Sequence, residues 1–166
     1  MQLLIIRHAI AVPHGTPGVP DEERPLTEEG VSRFRECARG IAALVARPDA
    51  LLTSPWLRAR QTAEIAAEAW GHCRAADCPA LAGGSFEEQA KALDRHSKDA
   101  TVAVVGHEPY VSALLARILG CPDAERLAFK KGGAALVDVP GRLADGGTLV
   151  FFLPPKALRK IGGGAD

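Results

Sequence analysis

Short apolar runs alternate along the chain with longer stretches in which apolar residues recur every three or four positions. Leu3-Leu-Ile-Ile6 is a continuous apolar run and predicts a buried strand. Residues 11–25 hold four prolines and two glycines and predict a loop. Thr27 then caps a helix, with Glu28 and Glu29 in its first turn, where the helix dipole favours acids. Val31, Phe34, Ala38, Ile41 and Val45 form its buried stripe, and Pro48 ends it. Ala50–Thr53 predicts a second strand, and Ser54-Pro55 opens a helix running to about Trp70, with proline in the first turn where its missing N–H costs nothing. An irregular segment rich in cysteine and glycine follows, then a helix from Phe86 to about His96. Val102–Val105 predicts a third buried strand, and after Gly106-His107-Glu108-Pro109 an apolar helix spans Tyr110–Leu119. Ala134–Val139 and Leu149–Leu153 read as strands joined through the hairpin signal Asp145-Gly146-Gly147.

Strands alternating with helices imply an α/β fold: three α/β/α layers around a mostly parallel sheet, with a C-terminal antiparallel hairpin. The length of 166 residues suits one domain, expected over residues 1–153, with 154–166 as a basic, glycine-rich, mobile tail. With 47% apolar and 24% charged residues, the chain can bury a sizeable core. Lysines and arginines number 20, as do aspartates and glutamates, so no long-range field draws nucleic acid or an anionic membrane, and neither is expected as a partner. The first apolar run is too short for a signal peptide or a membrane span, which points to a cytoplasmic protein with its four cysteines reduced. No cysteine pair has the spacing of a zinc knuckle, and neither a metal nor a cofactor is expected.

In parallel sheets ligands bind beyond the carboxyl ends of the strands. Three predicted strands end in groups suited to phosphate: Arg7-His8, Thr53-Ser54 with Arg58 one turn into the next helix, and Gly106-His107. Two histidines and two arginines thus converge at one sheet edge, and the arginine fork suits a phosphoryl group through paired, charge-assisted hydrogen bonds. Other phosphatase chemistries lack their residues. A cysteine nucleophile needs an arginine six positions on, where the chain has Ala43, Pro79, Gly84 and Leu127. There is no Asp-x-Asp, no nucleotide-binding glycine loop ending in Lys-Ser or Lys-Thr, and no Gly-x-Ser-x-Gly elbow. A histidine nucleophile remains.

The segment Leu4-Ile-Ile-Arg-His-Ala9 resembles the Arg-His-Gly signature of the histidine phosphatase superfamily, with its phosphoglycerate-mutase-like fold. Arg24-Pro-Leu-Thr27 with Gly30, the run Ser54-Pro-Trp-Leu-Arg-Ala-Arg-Gln-Thr-Ala-Glu64, and Val105-Gly-His-Glu-Pro109 are similar to its further blocks. Their order, the short chain and Phe129-Lys-Lys-Gly-Gly133 resemble the SixA branch of phosphohistidine phosphatases. The resemblance implies that His8 attacks phosphorus, that Arg7 and Arg58 hold the phosphoryl oxygens, and that His107 donates a further hydrogen bond. Ser54 and Arg24 join them as candidate phosphate ligands. Phospho-His8 would then be hydrolysed by water, with no metal.

The chain departs from the family pattern in two places. Ala9 stands where many relatives have glycine, which matters only at positive φ. Larger members carry a general acid after the Arg58 helix, whereas Pro79–Ser85 holds none, and Glu87 and Glu88 come later. Glu108 is the remaining acid to weigh. A missing acid handicaps unactivated esters more than phosphohistidine, whose imidazole leaves readily when protonated. The expected substrate is therefore phosphohistidine on a partner protein, a phosphorelay histidine domain being one candidate. The alternatives are a small-molecule phosphomonoesterase, which an extra carboxylate in the pocket would favour, and a non-catalytic phosphate-binding module. Lys130-Lys131 and the Ala11–Pro25 loop are left without an assigned role. Arg60, two residues from Arg58, points elsewhere on a helix, and His14, His72 and His96 read as surface residues.

Overall fold

The computed structural model describes residues 1–163. Six strands, β1 (Gln2–Arg7), β2 (Ala50–Thr53), β3 (Ala75–Asp77), β4 (Thr101–Gly106), β5 (Ala134–Asp138) and β6 (Thr148–Leu153), form one sheet in the order β3-β2-β4-β1-β5-β6. The pairs β1–β4, β2–β4 and β2–β3 are parallel, while β5 runs antiparallel to both β1 and β6. Among the described residues the α-helices are α1 (Glu28–Leu44), α2 (Leu57–Ala69), α3 (Phe86–Leu93), α4 (Tyr110–Leu119) and α5 (Pro155–Ile161).

Side chains alternate across a strand, and the continuous apolar runs feed two cores. Leu4, Ile6, Leu51, Ala103 and Val105 pack with Phe34, Ile41, Ala63 and Leu158 on one side of the sheet. Leu3, Ile5, Val102 and Val104 pack with Leu93, Leu114, Leu115 and Phe129 on the other. This is the expected three-layer arrangement.

Several boundaries differ from the sequence reading. Strand β3 lies in the segment expected to be irregular: Ala-Ala-Asp has no apolar alternation, and pairing with Leu51–Thr53 makes it a strand. Helix α1 stops at Leu44, before Pro48. Helix α2 starts at Leu57 rather than at Ser54-Pro55, because the Ser54 N–H still bonds across the sheet to Val105 O at 2.9 Å. Helix α3 ends at Leu93, short of His96. Strands β5 and β6 pair as expected, but residues 139–147 join them through a 3₁₀ turn with buried Leu143 rather than a tight hairpin.

The expected mobile tail needs a larger correction. Residues 155–161 form α5, and Leu158 is fully buried against α1. The approach is close: a Cβ on Gly40 would lie 2.0 Å from Leu158 O, and one on Gly162 would lie 2.1 Å from Glu36 O. A basic, glycine-rich composition concealed this packing because Gly162 of the tail is itself a contact surface, meeting α1 at Glu36 and Gly40. Residues 164–166 of the expected tail lie outside the described residues.

Candidate active site

Parallel pairing of β1, β4 and β2 brings their carboxyl ends together, and His8, Ser54, Arg58 and His107 are all buried there. His8 is the first residue beyond β1. Its N–H donates to Gly106 O at 2.9 Å, and its carbonyl and that of Arg7 accept from Gly132 N–H, each at 3.2 Å. Gly132 has φ +81°, a left-handed conformation in which its N–H faces both carbonyls and which a Cβ would strain. The loop after Lys130-Lys131 is thereby fastened beneath the site.

The His8 ring has a defined tautomer. Its Nδ1 lies 2.7 Å from the Ala9 carbonyl, which can only accept, so Nδ1 carries the proton. The lone pair is then on Nε2, which accepts from Arg58 Nε at 3.3 Å. Burial keeps the ring neutral, outweighing the opposite pull of the Ala9 carbonyl. With His107, Arg58 and Arg7 adding to it, the pKa is pushed down to about 3. Ala9 itself is held by Thr62, whose Oγ1 accepts the Ala9 N–H at 3.0 Å and donates to Arg58 O at 2.7 Å. His72 is the one non-glycine at positive φ among the described residues, so alanine at position 9 carries no strain.

His107 packs on His8 with ring centroids 5.1 Å apart and on Trp56 at 4.7 Å. Ser54 Oγ accepts the Trp56 N–H at 3.3 Å and lies 2.7 Å from His107 Nε2. Among the described contacts His107 Nε2 is the one acceptor within reach of the Ser54 hydroxyl proton, so the hydroxyl donates to it and the proton of His107 is on Nδ1. Burial, then Arg58, holds this ring neutral as well, at about 3. Among the described residues, the buried side-chain polar atoms without a partner are His107 Nδ1 and Arg7 Nε. Native interiors rarely tolerate such orphans, and both are donors beside the His8 ring.

Arg7 donates through Nη1 to Phe129 O at 2.5 Å. That peptide is itself fixed by Glu108, whose carboxylate accepts the Phe129 N–H and the Ser112 hydroxyl, both at 2.6 Å. Glu108 is thus committed to positioning and is not aimed at a leaving group. Glu88 closes a capping box with Ser85 at the start of α3, and Glu87 is exposed on that helix.

The sequence reading missed Asp21. Arg58 Nη1 donates to its carbonyl at 2.5 Å and Nη2 lies 3.3 Å from its Oδ2. Arg24 Nε and His14 Nδ1 reach Oδ1 at 2.7 and 2.6 Å. The loop expected over Ala11–Pro25 therefore delivers a carboxylate to the site, and His14, read as an unpartnered surface residue, braces it. Arg24 also donates to Val12 O at 2.7 Å, so it ties the loop together at the border of the site. No periodicity marks Asp21; its position between prolines and Arg24 was the one available hint. Gln61 anchors the same loop by accepting the Leu26 N–H at 2.7 Å. Arg60 points away and pairs with Asp77 at the end of β3. Lys131 is exposed but close enough that desolvation, followed by Arg7, Arg24 and Arg58, lowers its pKa.

The sequence profile of the histidine phosphatase superfamily (branch 1) matches residues 3–88, the stretch that contributes Arg7, His8, Asp21, Ser54 and Arg58. An uncharacterized protein of Picosynechococcus sp. is 34% identical over 137 residues, covering 80% of this chain and 82% of that protein. The structure of the protein histidine phosphatase SixA complexed with tungstate superposes with a TM-score of 0.82 at 26% identity, covering 95% of this chain and 99% of that one. The alpha-ribazole phosphatase of Shigella flexneri, 17% identical with a TM-score of 0.72 over 93% and 97% of the two chains, shares the fold. Among the described residues no helix is long and apolar enough to cross a membrane. A buried, neutral histidine ringed by arginines, on a sheet edge whose sequence and shape both match, makes this chain a phosphatase of branch 1 of the histidine phosphatase superfamily, in its SixA-type group.

Proposed function

We propose that the chain removes phosphoryl groups from phosphohistidine on a partner protein, through a phosphorylated His8. The observation that carries this reading is the His8 Nε2 lone pair, buried and neutral, with two unpartnered donors, Arg7 Nε and His107 Nδ1, close by.

Nε2 attacks phosphorus, the new N–P bond forms, and the bond to the leaving nitrogen breaks with its electron pair going to that nitrogen. Arg7, Arg58 and His107 supply fixed donors to the phosphoryl oxygens, and dipoles already held in place by the fold need no reorganisation during the step. Ser54 holds His107 in the donating tautomer. The Ala9 carbonyl keeps Nδ1 protonated throughout, so the phosphorylated ring is cationic and departs as a neutral imidazole when water attacks phosphorus. Inorganic phosphate and the starting His8 result.

Asp21 is the feature that favours the second reading, a phosphomonoesterase, since it is a carboxylate at the site. It is held ionised, with its pKa lowered to about 2 by His14 foremost, then by Arg24 and Arg58. Such a group has no proton to give an alkoxide at neutral pH. With Glu88 and Glu108 turned to other tasks and Glu87 exposed on α3, the phosphoramidate is the better-matched substrate.

The test is turnover, with chelator present, of a phosphohistidine-bearing protein beside a panel of small phosphomonoesters, for the wild type and His8→Ala. The expected result is a preference for phosphohistidine, with at least about a thousandfold loss on substitution, as for other covalent nucleophiles. Faster cleavage of the esters would overturn the substrate, and turnover surviving in His8→Ala would overturn the nucleophile.

A further inference from the structure

Among the described residues Asp21 is the one carboxylate that shares a guanidinium with the attacking histidine: Arg58 Nε meets His8, while its two terminal nitrogens meet Asp21. The two carboxylate oxygens are used unequally. Oδ1 holds both His14 and Arg24 at short distance, whereas Oδ2 has only Arg58 Nη2, at 3.3 Å. Arg24 is in turn fixed to Val12, so the carboxylate stays anchored to its loop if Arg58 turns its Nη2 to a phosphoryl oxygen. The Arg24 guanidinium on Oδ1 also offsets the repulsion between this carboxylate and an arriving phosphate. Oδ2 is thus an acceptor on the solvent side of Arg58, with the buried His8 on the other; the Asp21 side chain is 29% exposed and that of Arg58 4%.

We infer that Asp21 is a specificity-determining residue, whose Oδ2 accepts the ring N–H of the leaving imidazole of a phosphohistidine substrate. This rests on the phosphohistidine reading above. Holding that proton on the far ring nitrogen lets the P–N bond break with its electron pair received by a cationic ring, which leaves as neutral imidazole; no proton changes hands. Without the carboxylate the substrate ring loses its proton more readily and would have to depart as an anion. An ester oxygen has no N–H to offer, so the contact discriminates between the two classes. A group kept ionised suits this accepting role as well as it disqualifies Asp21 from donating.

The experiment compares wild type with Asp21→Asn on a phosphohistidine-bearing protein and on p-nitrophenyl phosphate, whose leaving group needs no proton. The ratio of kcat/KM values, phosphohistidine over aryl phosphate, should fall about tenfold to a hundredfold in the variant, the loss of a charge-assisted hydrogen bond. The variant's phosphohistidine activity should also decline at lower pH than that of the wild type, as the unsupported ring deprotonates, and Asp21→Glu should restore part of the ratio. An equal loss on both substrates would overturn the proposal in favour of a structural hold on Arg58. An equal gain on both would overturn it in favour of a carboxylate that blocks the arginines. Failure of the phosphohistidine reading itself shows separately, as a wild type that does not cleave phosphohistidine.

Discussion

Arg58 concentrates more of the site than any other side chain. Its Nε meets His8, its terminal nitrogens meet Asp21, and its guanidinium lies 4.6 Å from the centre of the Trp56 ring. A lysine would keep the charge, but its three donors leave a single nitrogen and cannot span His8 and both Asp21 acceptors as the planar guanidinium does. Arg58→Lys should therefore lower kcat/KM by about tenfold to a hundredfold, the loss of one to two hydrogen bonds to charged partners. Steady-state kinetics on whichever substrate the enzyme prefers would check this, and unchanged kinetics would show that charge alone matters. The buried Trp70 shows the structural use of the same residue type as Trp56, its Nε1 donating to Val45 O at 3.0 Å far from the chemistry.

At the scale of elements, the site is a product of strand ends and of one helix. Arg58, Gln61 and Thr62 all lie in the first turns of α2, and each reaches a different target: His8, the Leu26 peptide and the Ala9 peptide. The family-like run from Ser54 to Glu64 is thus a fastening device that ties the end of β1 and the 11–25 loop to α2. On the same face of the sheet, α5 closes the core over α1 through Leu158. Leu158→Ala should cost about 2–5 kcal/mol, as fully buried leucines do, measured by denaturant unfolding. A cost under about 0.5 kcal/mol would mean that α5 is not part of the cooperative fold. Terminal segments are poorly ordered unless tied down, and the burial of Leu158 is what ties α5 down.

At the scale of the molecule, a chain with no net charge gathers Arg7, Arg24, Arg58 and Lys131 around two neutral histidines. This arrangement links stability to pH. Both histidines have folded pKa values of about 3 against 6.5 when unfolded, so between these values the unfolded chain binds more protons. Stability is then fully present above pH 6.5 and is lost as pH falls toward 3, by up to about 1.4 kcal/mol per pH unit for each ring. Asp21 adds a smaller loss as pH falls from 3.8 through 2. Urea titrations across pH 4–7 should show wild type losing stability on acidification and His107→Gln losing less. Parallel curves would show that the His107 ring is not held neutral by the fold.

The sequence by itself determined the layers and the position of the chemistry. Apolar runs of four residues and helical stripes are local signals, and parallel strands bring their carboxyl ends to one edge, so Arg7, His8, Ser54, Arg58 and His107 were legible before any coordinates. Tertiary structure decided what surrounds them. Arg58 meets Asp21 across 37 positions, Glu108 meets Phe129 across 21, and His107 meets Ser54 across 53. No periodic pattern encodes such pairs, because each depends on where two loops end after the sheet has formed. The same holds for β3, a strand only because β2 offers it an edge, and for α5, whose following residue Gly162 reads as slack until Gly40 of α1 is packed against it. Local propensity and burial periodicity are properties of a segment, whereas hydrogen-bond partners, pKa values and close approaches are properties of the assembled fold.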